Sequence, residues 1–443
     1  MATTYLTRTV TGSSTTTATY SAWVKRTGLG EKNLTAIKAG SDQCRITFTP
    51  SDELQVFMHD GSYQYRKVTD RVFRDTSAFY NIVIAFDSTE GAAGDRIKIY
   101  INGVQETAFN NVTDPGSSDD CFWFQSATGY LGIEENGSSN GFDGLMTHIN
   151  MIQGTAYAAS DFGEFDSTSG IWKIKTAPSV TYGSQGFFLK METTSGSGMG
   201  TDSSGNGNNY AENGTPTQTV DNPSSVMATC NSLNTNSGSN AFTNGNTKQT
   251  VTGNWLGISA TMAVDKGKFY WELKNSGGGN LGAGVGKEGV NGTNTVYFST
   301  GNNWLFDQST NYGYYRNGSG TQKANNNTTT TYGITIASGE ILMIAWDADN
   351  GKLFAGRNGT WFDSSDPANG TSPMYTITIG SDFWYPIFVA ESNNIEINFG
   401  NGYFGTTIVS SAGTSSTDDD SIWEYNCPTG FYGLNTKNIN TYG

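Results

Sequence analysis

Side chains that transfer protons are scarce in this sequence. The two histidines are His59, in the turn-like segment His59–Gly61, and His148, within the run Met146–Met151. A Ser-His-Asp triad or a zinc site needs further groups close to one of these imidazoles, and the sequence indicates none. We therefore predict structural roles for both histidines, no catalytic residues, and no metal site built on either.

Two short segments carry the oxygen donors and glycines that hard cations such as calcium use. Asp347–Gly351 starts like a calcium loop, but Asn358 stands where the bidentate glutamate would be, so we favour a hairpin turn at Asn350-Gly351. Asp202–Asn209 allows calcium at a loop edge, and we favour a glycine-dependent bend there. We assign no metal and no cofactor, and calcium at the second segment remains the open alternative.

Aromatic residues provide the best candidates for ligand binding. Several of them lie among Gly, Asn and Ser in the segment Thr300–Asn325. Sugar faces stack on aromatic rings while amides and carboxylates bond their hydroxyls, so such rings are candidate contacts for a glycan or a partner protein. The alternation of Tyr312 and Tyr314 equally suits inward-facing strand residues, and this alternative stays open. The predicted contacts are Trp304, Tyr312, Tyr314, Tyr315 and Trp361.

Charge and hydropathy exclude several functional classes. The chain of 443 residues has 25 Lys and Arg against 40 Asp and Glu, a formal net charge of −15. Such a surface repels phosphate backbones, so we expect no nucleic-acid partner. The longest apolar run, Ile341–Trp346, is far below the roughly 20 residues of a membrane helix, so we expect no membrane insertion. Four widely spaced cysteines are read as free thiols.

The pattern of apolar residues predicts an all-β protein. Alternating or β-branched runs recur along the chain, and no long stretch keeps a helical periodicity. In Ile97–Gln105 the alternating isoleucines lead into Asn102-Gly103, a typical two-residue hairpin turn. The strongest strand signals of the later part are Lys268–Leu273, Leu281–Val285, Tyr332–Ile336, Ile341–Trp346, Lys352–Ala355 and Ile395–Phe399.

The length of the chain makes a single hydrophobic core improbable. A Gly-, Ser- and Asn-rich stretch near the middle offers little apolar area to offset the entropy of ordering, so we place a domain boundary there. The predicted organisation is a sandwich over residues 1–175, a connecting region over 176–245, a second sandwich over 246–408, and a C-terminal loop and docking segment over 409–443.

The first domain resembles laminin-G or concanavalin A-like domains. Tyr20–Arg26, Ile99–Val104 and Phe142–Met146 are similar to that family's early tryptophan-containing strand, its hairpin and a late strand. Met146-Thr147 stands where many members have an acidic pair, so no acidic ligand set is carried over. The resemblance implies a concanavalin A-like jelly roll.

The second domain resembles a SPRY domain. The segments that carry the resemblance follow the family's order and spacing, and they are Gly267–Leu273, Gly282–Gly286, Gly339–Asp347, Leu353–Trp361 and Trp384–Val389. The predicted fold class is therefore all-β, with tandem antiparallel β-sandwiches: a concanavalin A-like jelly roll followed by a SPRY-type sandwich.

Segments at the joints resemble appendage proteins of marine bacteriophages that carry these modules. The segments are Ser160–Glu164, Thr168–Trp172, Gly200–Asn208 and Pro428–Asn438. The resemblance implies a virion structural protein, a fibre or a tail- or head-attached appendage, which is assembled in the host cytoplasm and located in the virion. Its expected partners are other virion proteins and a host-surface polysaccharide, and its expected state is a homo-oligomer, with a trimer favoured by analogy.

Two other functions remain as alternatives. The chain could be purely architectural, joining or decorating the particle without binding a receptor. It could also be a depolymerase, since concanavalin A-like folds include glycosidases that use two facing carboxylates. Glu164–Asp166 begins like the acidic strand of laminarinase-like members, but no third acid follows and Pro178 comes soon after. We therefore expect no enzymatic activity.

Overall fold

The computed structural model describes residues 4–12, 15–192, 198–235, 240–287, 306, 308–318, 320–410, 413 and 421–443. These residues form antiparallel β-sheets with one short α-helix, which confirms the predicted fold class. The chain divides into two compact units, Met1–Gln218 and Thr219–Gly443. No helix among the described residues combines the length and apolarity needed to cross a membrane.

The first unit contains two large sheets and a small hairpin. Its strands are β1 (Tyr5–Val10), β2 (Thr17–Arg26), β3 (Lys32–Ala39), β4 (Asp42–Phe48), β5 (Glu53–His59), β6 (Tyr63–Val72), β7 (Tyr80–Asp87), β8 (Ile97–Ile101), β9 (Val104–Gln105), β10 (Phe109–Thr113), β11 (Ala127–Leu131), β12 (Gly144–Gln153), β13 (Gly163–Phe165), β14 (Trp172–Ile174), β15 (Phe187–Leu189) and β16 (Ala211–Asn213).

These strands pair in the orders β10-β6-β5-β4-β3-β11-β1-β16 and β15-β12-β2-β7-β8-β9, with β13 and β14 as a separate hairpin. Inward-facing residues of both large sheets, such as Ile46 and Leu54 from one and Tyr20 and Ile84 from the other, form one buried core. The period-two alternation along the strands places them there. The predicted Asn102-Gly103 turn is confirmed, because both residues have positive φ and join β8 to β9.

The second unit repeats this plan with different pairings. Its elements are β17 (Cys230–Thr235), β18 (Asn240–Thr243), β19 (Lys248–Val251), β20 (Leu256–Ala260), β21 (Lys268–Asn275), β22 (Asn280–Lys287), β23 (Asn311–Asn317), β24 (Gly320–Asn325), β25 (Thr328–Thr331), β26 (Ile341–Asp347), β27 (Lys352–Arg357), β28 (Thr360–Trp361), β29 (Tyr375–Thr376), β30 (Trp384–Glu391), β31 (Asn393–Asn398), β32 (Tyr403–Phe404), β33 (Thr407–Ile408), β34 (Tyr432–Gly433) and α1 (Thr436–Tyr442).

One sheet of this unit has the order β17-β20-β30-β22-β23-β24-β25, and the other contains β18-β19-β31-β21-β26-β27-β28. Two further strands join the second sheet, β29 beside β27 and β34 parallel to β21, while β32 and β33 form a hairpin. The buried core lies between the two large sheets and includes Ala283 and Phe388 from one and Trp271 and Ile344 from the other.

One predicted strand, Tyr332–Ile336, is wrong. The segment is irregular, although Tyr332 and Ile336 are buried as the apolar pattern suggested. Gly333 has a φ of +68°, which takes the chain out of the extended conformation. A Cβ on Gly333 would lie 2.7 Å from the Phe362 ring, so the glycine also permits this close packing.

The predicted connecting region contributes to both units. The unit boundary lies within residues 176–245, but β15 and β16 join sheets of the first unit while β17 and β18 join sheets of the second. The C-terminal segment packs on the second unit through the buried residues Trp423 and Phe431, and it ends in the helix α1. Asn435 caps this helix by accepting a hydrogen bond from the backbone N–H of Asn438 at 2.8 Å.

Candidate functional site

An open groove of about 350 Å³ lies in the second unit, where β28, the loop after it and the C-terminal segment meet. We call it the Trp361 groove. Its volume falls near the lower end of the range for small-molecule sites. The lining residues are Met343, Gly359, Trp361, Asp366, Pro367, Ala368, Tyr425, Asn426, Cys427, Pro428 and Thr429.

A tight turn places Trp361 at the groove. Asn358 and Gly359, with φ of 47° and 84°, connect β27 to β28, which makes Trp361 the partner of Gly356 across the hairpin. The Trp361 ring lies edge-on to the Tyr270 ring at 6.3 Å and remains partly exposed. Trp361 is thus anchored on one side and available to a ligand on another.

The loop that follows brings a carboxylate to the groove. Asp366 pairs with Thr371 in a short bridge, and the Asn369 side chain donates a hydrogen bond to its Oδ2 at 2.7 Å. This hydrogen bond lowers the pKa of Asp366 below its ordinary value. Asp366 is therefore ionised at neutral pH, and its carboxylate accepts hydrogen bonds.

The C-terminal segment forms the opposite wall, and a buried glutamate attaches it to the sheet. Glu272 on β21 accepts hydrogen bonds from the backbone N–H groups of Glu424 and Tyr425, at 3.0 and 2.8 Å. The Tyr270 hydroxyl and the Asn398 amide donate to the same carboxyl at 3.0 and 3.1 Å. The backbone of Tyr425 is therefore fixed, and its ring lies against the Asn358-Gly359 turn, 3.0 Å from the position of a Cβ on Gly359.

Two effects oppose each other at the Glu272 carboxyl. Burial raises its pKa to about 7, while the hydrogen bonds from Glu424, Tyr425, Tyr270 and Asn398 act in the opposite direction. Burial is the larger effect, because removing the carboxylate from water disfavours its charged form. Glu272 does not line the groove, so its role is to position the wall that contains Tyr425.

The groove has the chemistry of a binding site. Two aromatic residues, Trp361 and Tyr425, line it together with the polar residues Asp366, Asn426 and Thr429, and aromatic rings suit stacking against an apolar face of a ligand. Glycoside hydrolysis in most families requires two facing carboxylates, and Asp366 is the one carboxylate among the described lining residues. The arrangement suits recognition of a polar ring-shaped ligand such as a sugar.

The structure separates the five predicted aromatic contacts. Trp361 lines the groove, whereas Trp304 lies outside the described residues. Tyr314 is fully buried in the core and donates a hydrogen bond to the Ile334 carbonyl at 2.7 Å. Tyr312 packs against the same core beside Tyr375, and Tyr315 is 6% exposed in a separate cluster on the other face of its sheet.

Tyr314 and Tyr315 are therefore not accessible to a glycan in this structure, because alternation along β23 buries both side chains, one on each face. Sequence analysis missed Asp366 and Tyr425 as partners of Trp361. The one available signal was the predicted C-terminal docking segment over 409–443, which contains Trp423 and Tyr425 but does not indicate where the segment docks.

The two oxygen-rich segments are hydrogen-bonded turns. Asp347 is buried, accepts hydrogen bonds from Asn350 and forms an ion pair with Lys268 at 3.1 Å, within the predicted β26–β27 hairpin. Asp202 accepts hydrogen bonds from the backbone N–H groups of Phe188, Ser204 and Asn208 and from the Ser204 hydroxyl, at 2.8–2.9 Å. Among the described residues, no three His, Cys, Asp or Glu side chains are grouped to hold a metal ion.

The histidines have neighbours that fit structural roles. The His59 ring lies edge-on to Tyr63, and its Nδ1 accepts a hydrogen bond from the Gly61 N–H at 3.3 Å. His148 occupies an irregularity of β12, packs beside Phe188 and forms a hydrogen bond with the Thr147 hydroxyl. Burial lowers the pKa of His148 to about 4, so its imidazole is neutral at physiological pH.

Glu164 lies on the hairpin β13–β14 with its side chain exposed, and Asp166 lies directly after β13. Asp166 binds Lys173 at 2.7 Å and accepts hydrogen bonds from the N–H groups of Thr168 and Ser169. The contact with Lys173 is the largest cause that lowers the pKa of Asp166 well below its ordinary value. Asp166 therefore closes the hairpin turn.

Comparison with known proteins gives one family match and several similar solved structures. The family profile of laminin G, described as the concanavalin A-like lectin/glucanases superfamily, matches residues 2–159. A comparison with curated protein sequences finds no match.

Three solved structures are similar to part of the chain. The TRIM65 PSpry domain covers 39% of this chain and 91% of its own, at 14% identity and a TM-score of 0.30. Stonustoxin covers 39% of this chain and 27% of its own, at 21% identity and a TM-score of 0.29. The SPRY domain of human HERC1 covers 38% of this chain and 96% of its own, at 12% identity and a TM-score of 0.28.

The family match covers the strands of the first unit from β1 to β12, which form the greater part of its two sheets. The chain is therefore an all-β protein of tandem antiparallel sandwiches, whose residues 2–159 match the concanavalin A-like lectin/glucanases superfamily.

Proposed function

We propose that this chain is a structural protein of a bacteriophage virion, a fibre or appendage, and that it binds a host-surface glycan without cleaving it. The observation that carries the binding proposal is the Trp361 groove, in which Trp361 and Tyr425 stand beside the hydrogen-bonding groups of Asp366 and Asn426. The match of residues 2–159 to a superfamily of lectins and glucanases supports carbohydrate as the ligand class.

Binding at a small open groove of this kind is weak for each copy. Display of several copies on one particle would convert weak binding into useful avidity, because each further contact becomes intramolecular. This is why we propose that the chain acts as a homo-oligomer, with a trimer favoured by analogy, and that its other partners are neighbouring virion proteins.

A binding assay tests the proposal directly. The full chain is applied to a panel of bacterial capsular polysaccharides and lipopolysaccharide O-antigens, alongside Trp361→Ala and the control Trp172→Ala in the first unit. We expect at least one glycan to bind, and Trp361→Ala to weaken it about fivefold or more, since a lost stacking contact costs about 1 kcal/mol. Trp172→Ala leaves binding unchanged, and circular dichroism verifies that both variants are folded.

Two outcomes would favour the other functions. Silence across the panel, together with stoichiometric incorporation of the chain into particles, would support a purely architectural protein. Fresh reducing ends in the polysaccharide after incubation would support a depolymerase. Labelling of this chain on intact virions tests the proposed location in either case.

A further inference from the structure

We infer that the Trp361 groove selects glycans that carry a free amino group, bound as the ammonium ion, over the matching neutral glycans. The inference rests on the proposed function, because it names the chemical class of sugar for the same groove. Its basis is the charge and the aromatic character of the lining residues.

The groove is an anionic site. Asp366 provides its formal charge, and the described lining residues include no lysine or arginine. On adjoining strands, Lys352 donates a hydrogen bond to the Gly370 carbonyl at 2.7 Å, and Arg357 pairs with Glu340 at 3.3 Å. An acidic sugar would therefore meet Asp366 with no lysine or arginine among the described lining residues.

The Asp366 carboxylate retains acceptor capacity. Asn369 donates to both of its oxygens, through the side chain to Oδ2 at 2.7 Å and through the backbone N–H to Oδ1 at 3.2 Å. The backbone N–H of Ala368 is a further donor to this carboxylate. A carboxylate has about four lone-pair sites, so a position remains for an ammonium group. Asn369 also fixes the orientation of the carboxylate at the groove.

The aromatic rings reinforce this preference. Trp361 and Tyr425 line the same groove, and the face of an aromatic ring attracts a cation through its quadrupole. Tryptophan is the strongest of the aromatic side chains in this respect. The formal net charge of −15 adds a general attraction for cationic ligands.

Chitosan and chitin oligosaccharides of equal length provide a matched test, because they share a backbone and differ in whether the amino groups are free or acetylated. At mildly acidic pH, where the free amines are protonated, we expect the full chain to bind chitosan about tenfold more tightly. Asp366→Asn should remove most of this preference, leaving the smaller part that comes from the aromatic rings, and should retain the weaker binding of chitin, since the amide keeps one acceptor oxygen. The control Asp70→Asn makes the same charge change in the first unit and should alter neither affinity.

Equal or tighter binding of chitin would overturn the inference. So would a chitosan preference that survives Asp366→Asn undiminished, because Asp366 would then contribute nothing to the selection. If chitin and chitosan bind equally and both affinities fall in Trp361→Ala, the selectivity is refuted while glycan binding stands. If neither these oligosaccharides nor any glycan of the panel binds, both proposals fail.

Discussion

The buried carboxyl of Glu272 gives the second unit a pH-dependent stability that can be measured. The pKa of Glu272 is raised from 4.5 in the unfolded chain to about 7 in the folded chain, chiefly by burial. Between these values the folded state binds more protons than the unfolded state, so stability is present at low pH and decreases as pH rises through 7. The linkage relation gives a loss of about 2.5 kcal/mol between about pH 5 and about pH 8.

The substitution Glu272→Gln removes the titration and nearly preserves the shape of the side chain. The amide also turns one acceptor into a donor that faces donors, which adds a pH-independent penalty of about 1 to 3 kcal/mol per unsatisfied group. The informative quantity is therefore the difference in free energy of unfolding between wild type and variant, measured by urea denaturation of the full chain at both pH values. Other titrating groups cancel in this difference.

We expect the advantage of the wild type over Glu272→Gln to shrink by about 2.5 kcal/mol from the lower to the higher pH. Hydrogen exchange in residues 421–434 localises the effect, because that segment contains the two N–H groups held by Glu272. A constant difference, or an advantage that grows with pH, would refute the reasoning. It would mean that the four hydrogen bonds outweigh the loss of hydration.

Two further substitutions test how glycine and aspartate shape the units. Gly333→Ala should destabilise the second unit by more than about 1 to 2 kcal/mol, since a Cβ at a φ of +68° is strained and also meets the Phe362 ring. The control Gly339→Ala, at a φ of +85° with open space around it, should show the backbone strain alone. Urea unfolding measures both losses, and equal losses would contradict the packing argument. Asp202→Ala should lower the stability of the first unit by about 2 to 4 kcal/mol, because it leaves backbone N–H groups unpaired, and a fall in melting temperature measures this loss. If calcium does not raise the melting temperature of the wild type, the segment is a bend; a rise would indicate a cation site.

Local patterns in the sequence predicted local structure well. Alternating apolar residues identified β8, a continuous apolar run identified β26, and Asn-Gly pairs identified the turns that follow them, because these signals depend on neighbouring residues. The same reasoning failed at Tyr332–Ile336, where the apolar pattern was right about burial but could not reveal that Gly333 adopts a positive φ to pack under Phe362.

The candidate site was only partly predictable, because it depends on contacts between distant segments. Trp361 was among the predicted contacts. Tyr425, which lines the same groove, is held there by the hydrogen bond from its backbone N–H to Glu272, and these two residues are 153 positions apart along the chain. In the sequence, Glu272 resembles an exposed residue of an alternating strand. Its burial follows from the C-terminal segment that covers this face of the sheet.

The claim that a glycan occupies the Trp361 groove is tested most directly by fluorine NMR of the full chain labelled with 5-fluorotryptophan. The Trp361 resonance is assigned with the Trp361→Phe variant, and each glycan that binds in the panel is titrated. We predict that this resonance shifts on titration, whereas those of the core residues Trp271 and Trp346 stay in place. A glycan that binds and leaves the Trp361 resonance unmoved would contradict the account.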